Sequence, residues 1–152
     1  MPALSASSHV RSWFEPEPED EITNHVTTLG GLVTAPVVVV LLATPLDEVR
    51  HHLVEHRVSA LVVVDEARTL RGLVTRTDVL RLADAAATAE DAMSRFVFAL
   101  PAGAPIERAA ALMAFEGVGQ VVVTGAGGAL VGLVSALDVA RHYAIAAGYL
   151  VD

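Results

Sequence analysis

GLVTRTDVLR, residues 72–81, returns as GLVSALDVAR at residues 132–141, sixty positions later and identical at six of ten positions. Each copy reads as a short apolar strand that closes on a hydroxyl residue, Thr75 or Ser135. An aspartate follows three places on, Asp78 or Asp138, and a helical pattern begins. A hydroxyl at the N-cap with an acid at the third helical position is a capping box, which satisfies first-turn N–H groups and needs no ligand. The same strand-to-helix junction can also hold a nucleotide, because free N–H groups and the positive end of the helix dipole attract anions. From these residues alone both readings stand.

The echo extends well beyond the ten residues. Residues 29–84 overlay 89–144 without a gap, with Pro45 on Pro105, Val58 on Val118, Val62 on Val122 and Leu70 on Leu130. Two copies at a period of sixty indicate a tandem duplication rather than a solenoid. Each copy opens with a short helical turn, GGLVT or EDAMS, and an apolar strand, Val37 to Leu42 or Phe96 to Leu100. A proline then starts a helix with acids in its first turn. Helix 46–57 places Leu46, Val49, Leu53 and Val54 on one face, and helix 106–116 places Ile106, Ala109, Ala110, Leu112 and Met113 on another. A buried strand follows, ALVVVD or QVVVT, then a turn and the last strand. The expected fold is α+β: two β-α-β-β-α units, residues 22–87 and 88–148, packed with pseudo-twofold symmetry into one domain. A unit of that size is marginal alone, and pairing buries the open face of each small sheet.

Composition narrows the chemistry. Of 152 residues, 53% are hydrophobic and 5% aromatic, so the core must be Val, Leu and Ala. The net charge of −8 argues against nucleic acid or an anionic membrane as partner, since phosphates need clustered cations. There is no cysteine, which excludes thiol nucleophiles, thiolate metal sites and disulfides. There is also no lysine, which excludes a Walker A loop and Schiff-base chemistry. Residues 29–46 form an uncharged run of 18, but Pro36, Pro45, Gly30 and Gly31 interrupt it, and its counterpart carries Glu90, Asp91 and Arg95. No membrane span and no signal peptide are expected, and the expected location is the cytoplasm. Residues 1–21 stand apart as an acidic tail, EPEPEDE at 15–21, mobile at its start, with a short helix possible over 20–28. Trp13 and Phe14 read as a clip onto the chain's own domain, with contact to another protein as the alternative.

This pattern resembles the tandem CBS domain, named for cystathionine β-synthase, over nearly all of residues 28–145. The resemblance is carried by TLGGLVTAPVV and AEDAMSRFVF, similar to the family's opening turn, and by VVVDEARTLRGLVTRTD and VVVTGAGGALVGLVSALD. It implies a non-enzymatic regulatory module that binds an adenosyl compound (AMP, ADP, ATP or S-adenosylmethionine) between the repeats and signals to another protein. No cofactor is required. The family's hydroxyl-x-x-Asp motif falls on Thr75, Arg76, Thr77 and Asp78 and on Ser135 and Asp138; the aspartate would hold ribose. The adenine would lie against the regions of Val37 and Ser59 in one cleft and Val97 and Gly119 in the other. The resemblance also implies a homodimer through the closing helices, where Tyr143, Ile145, Tyr149 and Leu150 are surplus apolar residues. The chain departs from the family at Ser59-Ala60 and Gly119-Gln120, where phosphate-binding members carry a basic pair, and at Val33, where they carry methionine. Arg76 is then the expected phosphate partner, and its counterpart is Ala136. On that basis the Thr75 motif is the stronger site, polyphosphates are held weakly, and a monophosphate or S-adenosylmethionine fits more easily. The regulated process would lie in another chain. The competing reading is a ligand-free scaffold or dimerisation module whose motifs only cap helices.

His51, His52 and His56 bring metal to mind, since His52 and His56 share a helix face. HHLVEH lacks the glutamate placement of a zinc protease and shows no obvious third ligand, so a solvated, partly cationic face is expected and no metal. No Ser-His-Asp constellation or paired carboxylates point to catalysis.

Overall fold

The computed structural model describes residues 27–33 and 36–151. The acidic tail with Trp13 and Phe14, and nearly all of the helix expected over 20–28, lie outside the described residues. Each repeat opens with a single helical turn, α1 (Leu29–Leu32) or α4 (Ala89–Ala92). The first repeat continues as β1 (Val39–Leu41), α2 (Leu46–Glu55), β2 (Ala60–Val64), β3 (Leu70–Thr75) and α3 (Arg76–Arg81). The second continues as β4 (Ala99–Pro101), α5 (Ile106–Glu116), β5 (Gln120–Thr124), β6 (Leu130–Ser135) and α6 (Ala136–Ala146). The architecture is the expected α+β one: two three-stranded sheets, ordered β1-β2-β3 and β4-β5-β6. In each the first pair is parallel and the second antiparallel, with the register bulging at Val63/Val64 and again at Val123/Thr124.

The central strands read as unbroken apolar runs because both of their faces are covered. Leu61 and Val63 point into the helices of the first repeat, and Val121 and Val123 into those of the second. The alternate residues Val62, Val64, Leu73 and Val122 meet between the two sheets. On α2, Leu46, Val49 and Leu53 are buried as the periodicity requires, but Val54 is 77% exposed. At 100° beyond Leu53 it turns off the apolar stripe.

The lead-in turns are exchanged between repeats. Leu29, fully buried, packs in the core of the second repeat, while Ala89 and Met93 pack in the core of the first. The backbone shows the same crossing. Leu29 N–H donates to Ala104 O at 2.9 Å and Gly30 N–H to Ala102 O at 2.9 Å; in the other direction, Ala89 N–H donates to Thr44 O at 2.8 Å and Glu90 N–H to Leu42 O at 3.0 Å. The glycine that opens each copy of the repeated motif makes room for this exchange. A Cβ on Gly72 would lie 2.4 Å from Ser94 O, and one on Gly132 would lie 2.4 Å from Val33 Cγ1.

Candidate functional site: a cleft between the repeats at Ser135

Both repeated motifs are closed capping boxes. Thr75 N–H donates to Asp78 Oδ2 at 2.8 Å, the Thr75 hydroxyl donates to the same oxygen at 2.8 Å, and Asp78 N–H donates back to Thr75 Oγ1 at 3.2 Å. Ser135 and Asp138 repeat these bonds at 2.8, 2.8 and 3.1 Å. Each aspartate thus commits Oδ2 to its cap, while Oδ1 makes no hydrogen bond among the described residues. A carboxylate fixed in this way keeps one oxygen for something outside the helix.

The helices that follow differ. α3 runs six residues and α6 eleven, so only α6 carries three turns of aligned peptide dipoles behind its cap. A cleft of about 490 Å³ opens at the start of α6, between the repeats. That lies within the roughly 300–1,000 Å³ of small-molecule sites. Leu32, Val33, Pro36, Val37, Val38, Val58 and Leu133 form its apolar walls. Ser59, Gln120, Ser135, Asp138 and three arginines, Arg57, Arg76 and Arg141, supply its polar groups. Gln120 Nε2 donates to Ser59 Oγ at 3.0 Å and ties the two repeats together at the cleft. In the first turn of α6, Ala136 N–H is spent on Gly119 O at 2.8 Å and Asp138 N–H on the cap.

Of the residues expected at a ligand, the cleft brings together Val37, Ser59, Arg76, Gly119, Ser135 and Asp138. Thr75, Thr77, Asp78 and Val97 do not line it. Sequence reasoning paired Arg76 with its neighbour Asp78; in the structure Arg76 lines the cleft of the other motif, together with Ser135 and Asp138. The reason is topological. α3 starts beside the junction of the repeats, where Arg76 N–H donates to Ser59 O at 3.1 Å and its Nε to Val58 O at 3.1 Å. The second-repeat equivalents of the cleft-wall residues Pro36 and Val38 are Phe96 and Phe98, their rings edge to face at 5.0 Å.

Arg57 and Arg141 were missed. Arg141 lies one turn beyond Asp138 on the same face of α6, a spacing that was readable. Arg57 could be found only by comparing the ends of α2 and α5. Val58 N–H donates to Leu53 O and Arg57 N–H to Val54 O, each at 3.2 Å, the double bond of a Schellman ending. That motif needs a left-handed residue, normally glycine, and the second repeat supplies Gly117 at φ 67. The first repeat holds Arg57 there at φ 53, at a cost of about 1–2 kcal/mol relative to glycine.

The histidine face of α2 does gain a third candidate ligand: His52, Glu55 and His56 each offer an atom within 4.8 Å of the others. Part of the set is engaged, but His52 Nδ1 is buried with no hydrogen-bond partner among the described residues. His51 Nε2 lies 3.2 Å from Glu55, His52 Nε2 lies 3.6 Å from Glu48, and the His52 and His56 rings stack at 5.7 Å.

A sequence profile of the CBS domain matches this chain twice, at residues 29–85 and 89–145. The two packed β-α-β-β-α units are thus a CBS pair, and the chain belongs to the CBS domain family. It is 31% identical over 124 residues to an inosine-5'-monophosphate dehydrogenase of Halalkalibacterium halodurans, a match that covers 80% of this chain. The chain spans 24% of the length of that enzyme. Among solved structures, it resembles the CBS domain pair of protein MJ0100 in complex with 5'-methylthioadenosine and S-adenosyl-L-methionine. That likeness has a TM-score of 0.74 and 24% identity, and covers 80% of this chain and 98% of the other. It also resembles CBSX2 in complex with AMP, at TM-score 0.70 and 26% identity, covering 78% of this chain and 97% of the other. No helix among the described residues is long and apolar enough to cross a membrane.

Proposed function

We propose that this chain is a regulatory module that takes an adenosyl ligand in the Ser135 cleft and passes its occupancy to another protein. One observation carries the reading: a single cleft joins apolar walls from both repeats to a capped aspartate, Asp138, with one oxygen uncommitted. The apolar walls suit a purine, and the free carboxylate oxygen suits ribose hydroxyls. The similarity to CBSX2, which binds AMP, supports the same class of ligand. Ligand contacts to both repeats would change their relative packing, the change a regulated protein could read. We place the chain in the cytoplasm and assign it no catalysis of its own. Apolar residues left outward on α3, α5 and α6, among them Leu80 at 85%, Phe115 at 87% and Tyr143 at 41% exposure, support a homodimer through these helices. The six bonds of the two closed caps favour a second reading, a scaffold that binds nothing, because caps alone account for both motifs.

Titration calorimetry with AMP and adenosine separates the two readings. Binding that Asp138→Asn removes supports the regulatory module. No heat at millimolar ligand leaves the scaffold. Sedimentation of the chain with and without ligand tests the dimer: a monomer at all concentrations would refute it.

A further inference from the structure

The charge of the cleft runs against that of the chain. The chain carries −8, yet three arginines and a single carboxylate line this cleft. Two of those arginines have no counterpart in the second repeat, where the equivalent residues are Gly117 and Ala136. Arg57 holds its place in a left-handed conformation that the second repeat gives to glycine. The conformation alone does not mark a ligand site, since Arg68 adopts it too (φ 62) in the β2–β3 turn, where the second repeat has Gly128; what sets Arg57 apart is that it lines the cleft. Among the described residues Arg57 forms no ion pair and no side-chain hydrogen bond. Among the described residues Arg76 commits only its side-chain Nε, to Val58 O, which orients the guanidinium and leaves both terminal nitrogens without a partner there.

We propose that Arg57, together with Arg76, is a specificity-determining residue that makes this cleft select adenosyl ligands bearing a phosphate over the cationic S-adenosylmethionine. The proposal rests on the adenosyl-binding reading above. A guanidinium meets a phosphate through charge-assisted, often paired hydrogen bonds. S-adenosylmethionine instead brings a sulfonium to the 5' position, where AMP carries its phosphate, and sets a positive charge among like charges. The basic pair absent at residues 59 and 60 is thus replaced by cations from a helix end and from the start of α3.

Calorimetry on the full chain with adenosine, AMP and S-adenosylmethionine tests this, using the wild-type protein, Arg57→Gly and Arg76→Ala. AMP is expected to bind about tenfold or more tightly than adenosine, since hydrogen bonds to charged groups are the strong ones. S-adenosylmethionine should bind more weakly than AMP. Arg57→Gly should raise the melting temperature by releasing the left-handed strain and should weaken AMP more than adenosine, bringing AMP down towards adenosine. Equal binding of AMP and adenosine by the wild type, tightest binding of S-adenosylmethionine, or an AMP preference unmoved by Arg57→Gly would overturn the selection while leaving adenosyl binding intact. Loss of the preference in Arg76→Ala alone would overturn the role of Arg57. No binding of any of the three at millimolar concentration would overturn both the selection and the reading beneath it.

Discussion

The two repeats share a fold, a register and a capping box, and differ in almost everything that bears on a ligand. The first contributes Pro36 to Val38, Arg57 and Arg76 to a cleft at the motif of the second. The second holds aromatic residues, Gly117 and Ala136 at the matching positions. The two junctions thus share one geometry, and Arg57 and Arg76 bring positive charge to one of them. The capping boxes are common to both because they hold the fold. The arginines are confined to one because they do not: one of them sits where glycine would be more stable.

The largest effect should come from the exchanged lead-in turns. Leu29→Ala empties a fully buried site in the core of the opposite repeat and should cost about 2–5 kcal/mol in urea unfolding. If the repeats depend on each other as the exchange implies, the variant unfolds in one transition; two separate transitions would show that the repeats are independent. Next come the glycines. Gly72→Ala meets a backbone oxygen that cannot move aside, and should cost about 1–3 kcal/mol. Gly132→Ala meets the side chain of Val33 rather than a backbone oxygen, so its cost should be smaller; the reverse order would break this account of the two glycines.

The two aspartates sharpen the comparison further. Asp78→Asn and Asp138→Asn should each weaken a cap by about 1 kcal/mol or less. Only Asp138→Asn should abolish adenosyl binding by calorimetry, and loss of binding in Asp78→Asn instead would move the site to the first motif.

The smallest effect is acid sensitivity confined to one lead-in turn. Hydrogen bonds from the backbone and hydroxyl of Thr88 hold the Asp91 carboxyl below its ordinary 3.8, whereas α1 has no acid in its first turn and no side-chain cap. A lowered pKa means stability that is present above 3.8 and lost as pH falls through the folded value. Asp91→Asn should therefore flatten part of the decline in melting temperature below about pH 4. An unchanged slope would remove Asp91 from the cause.

Much of this was legible along the chain. The gapless repeat, the apolar runs of β2 and β5, and the hydroxyl-x-x-Asp junctions determined the α+β units and both caps, because these depend on residues within a few positions of one another. Even so, Val54 left the face expected of it, since a ten-residue helix buries a narrower stripe than its apolar residues would allow. The purpose of the glycine opening each motif appeared only with Ser94 and Val33 resting on it.

The site divides along the same line. Sequence alone determined that two junctions of one type exist and that one is followed by an arginine. Tertiary structure decided which carboxylate shares a cleft with that arginine. Sequence neighbours Arg76 and Asp78 serve different sides of a helix start, whereas Arg76 and Asp138, 62 positions apart, line one cleft. Capping is a matter of hydrogen bonds three residues long, so the chain states it locally. A cleft is the space left when two sheets pack and two lead-in turns cross, and no local pattern records that space.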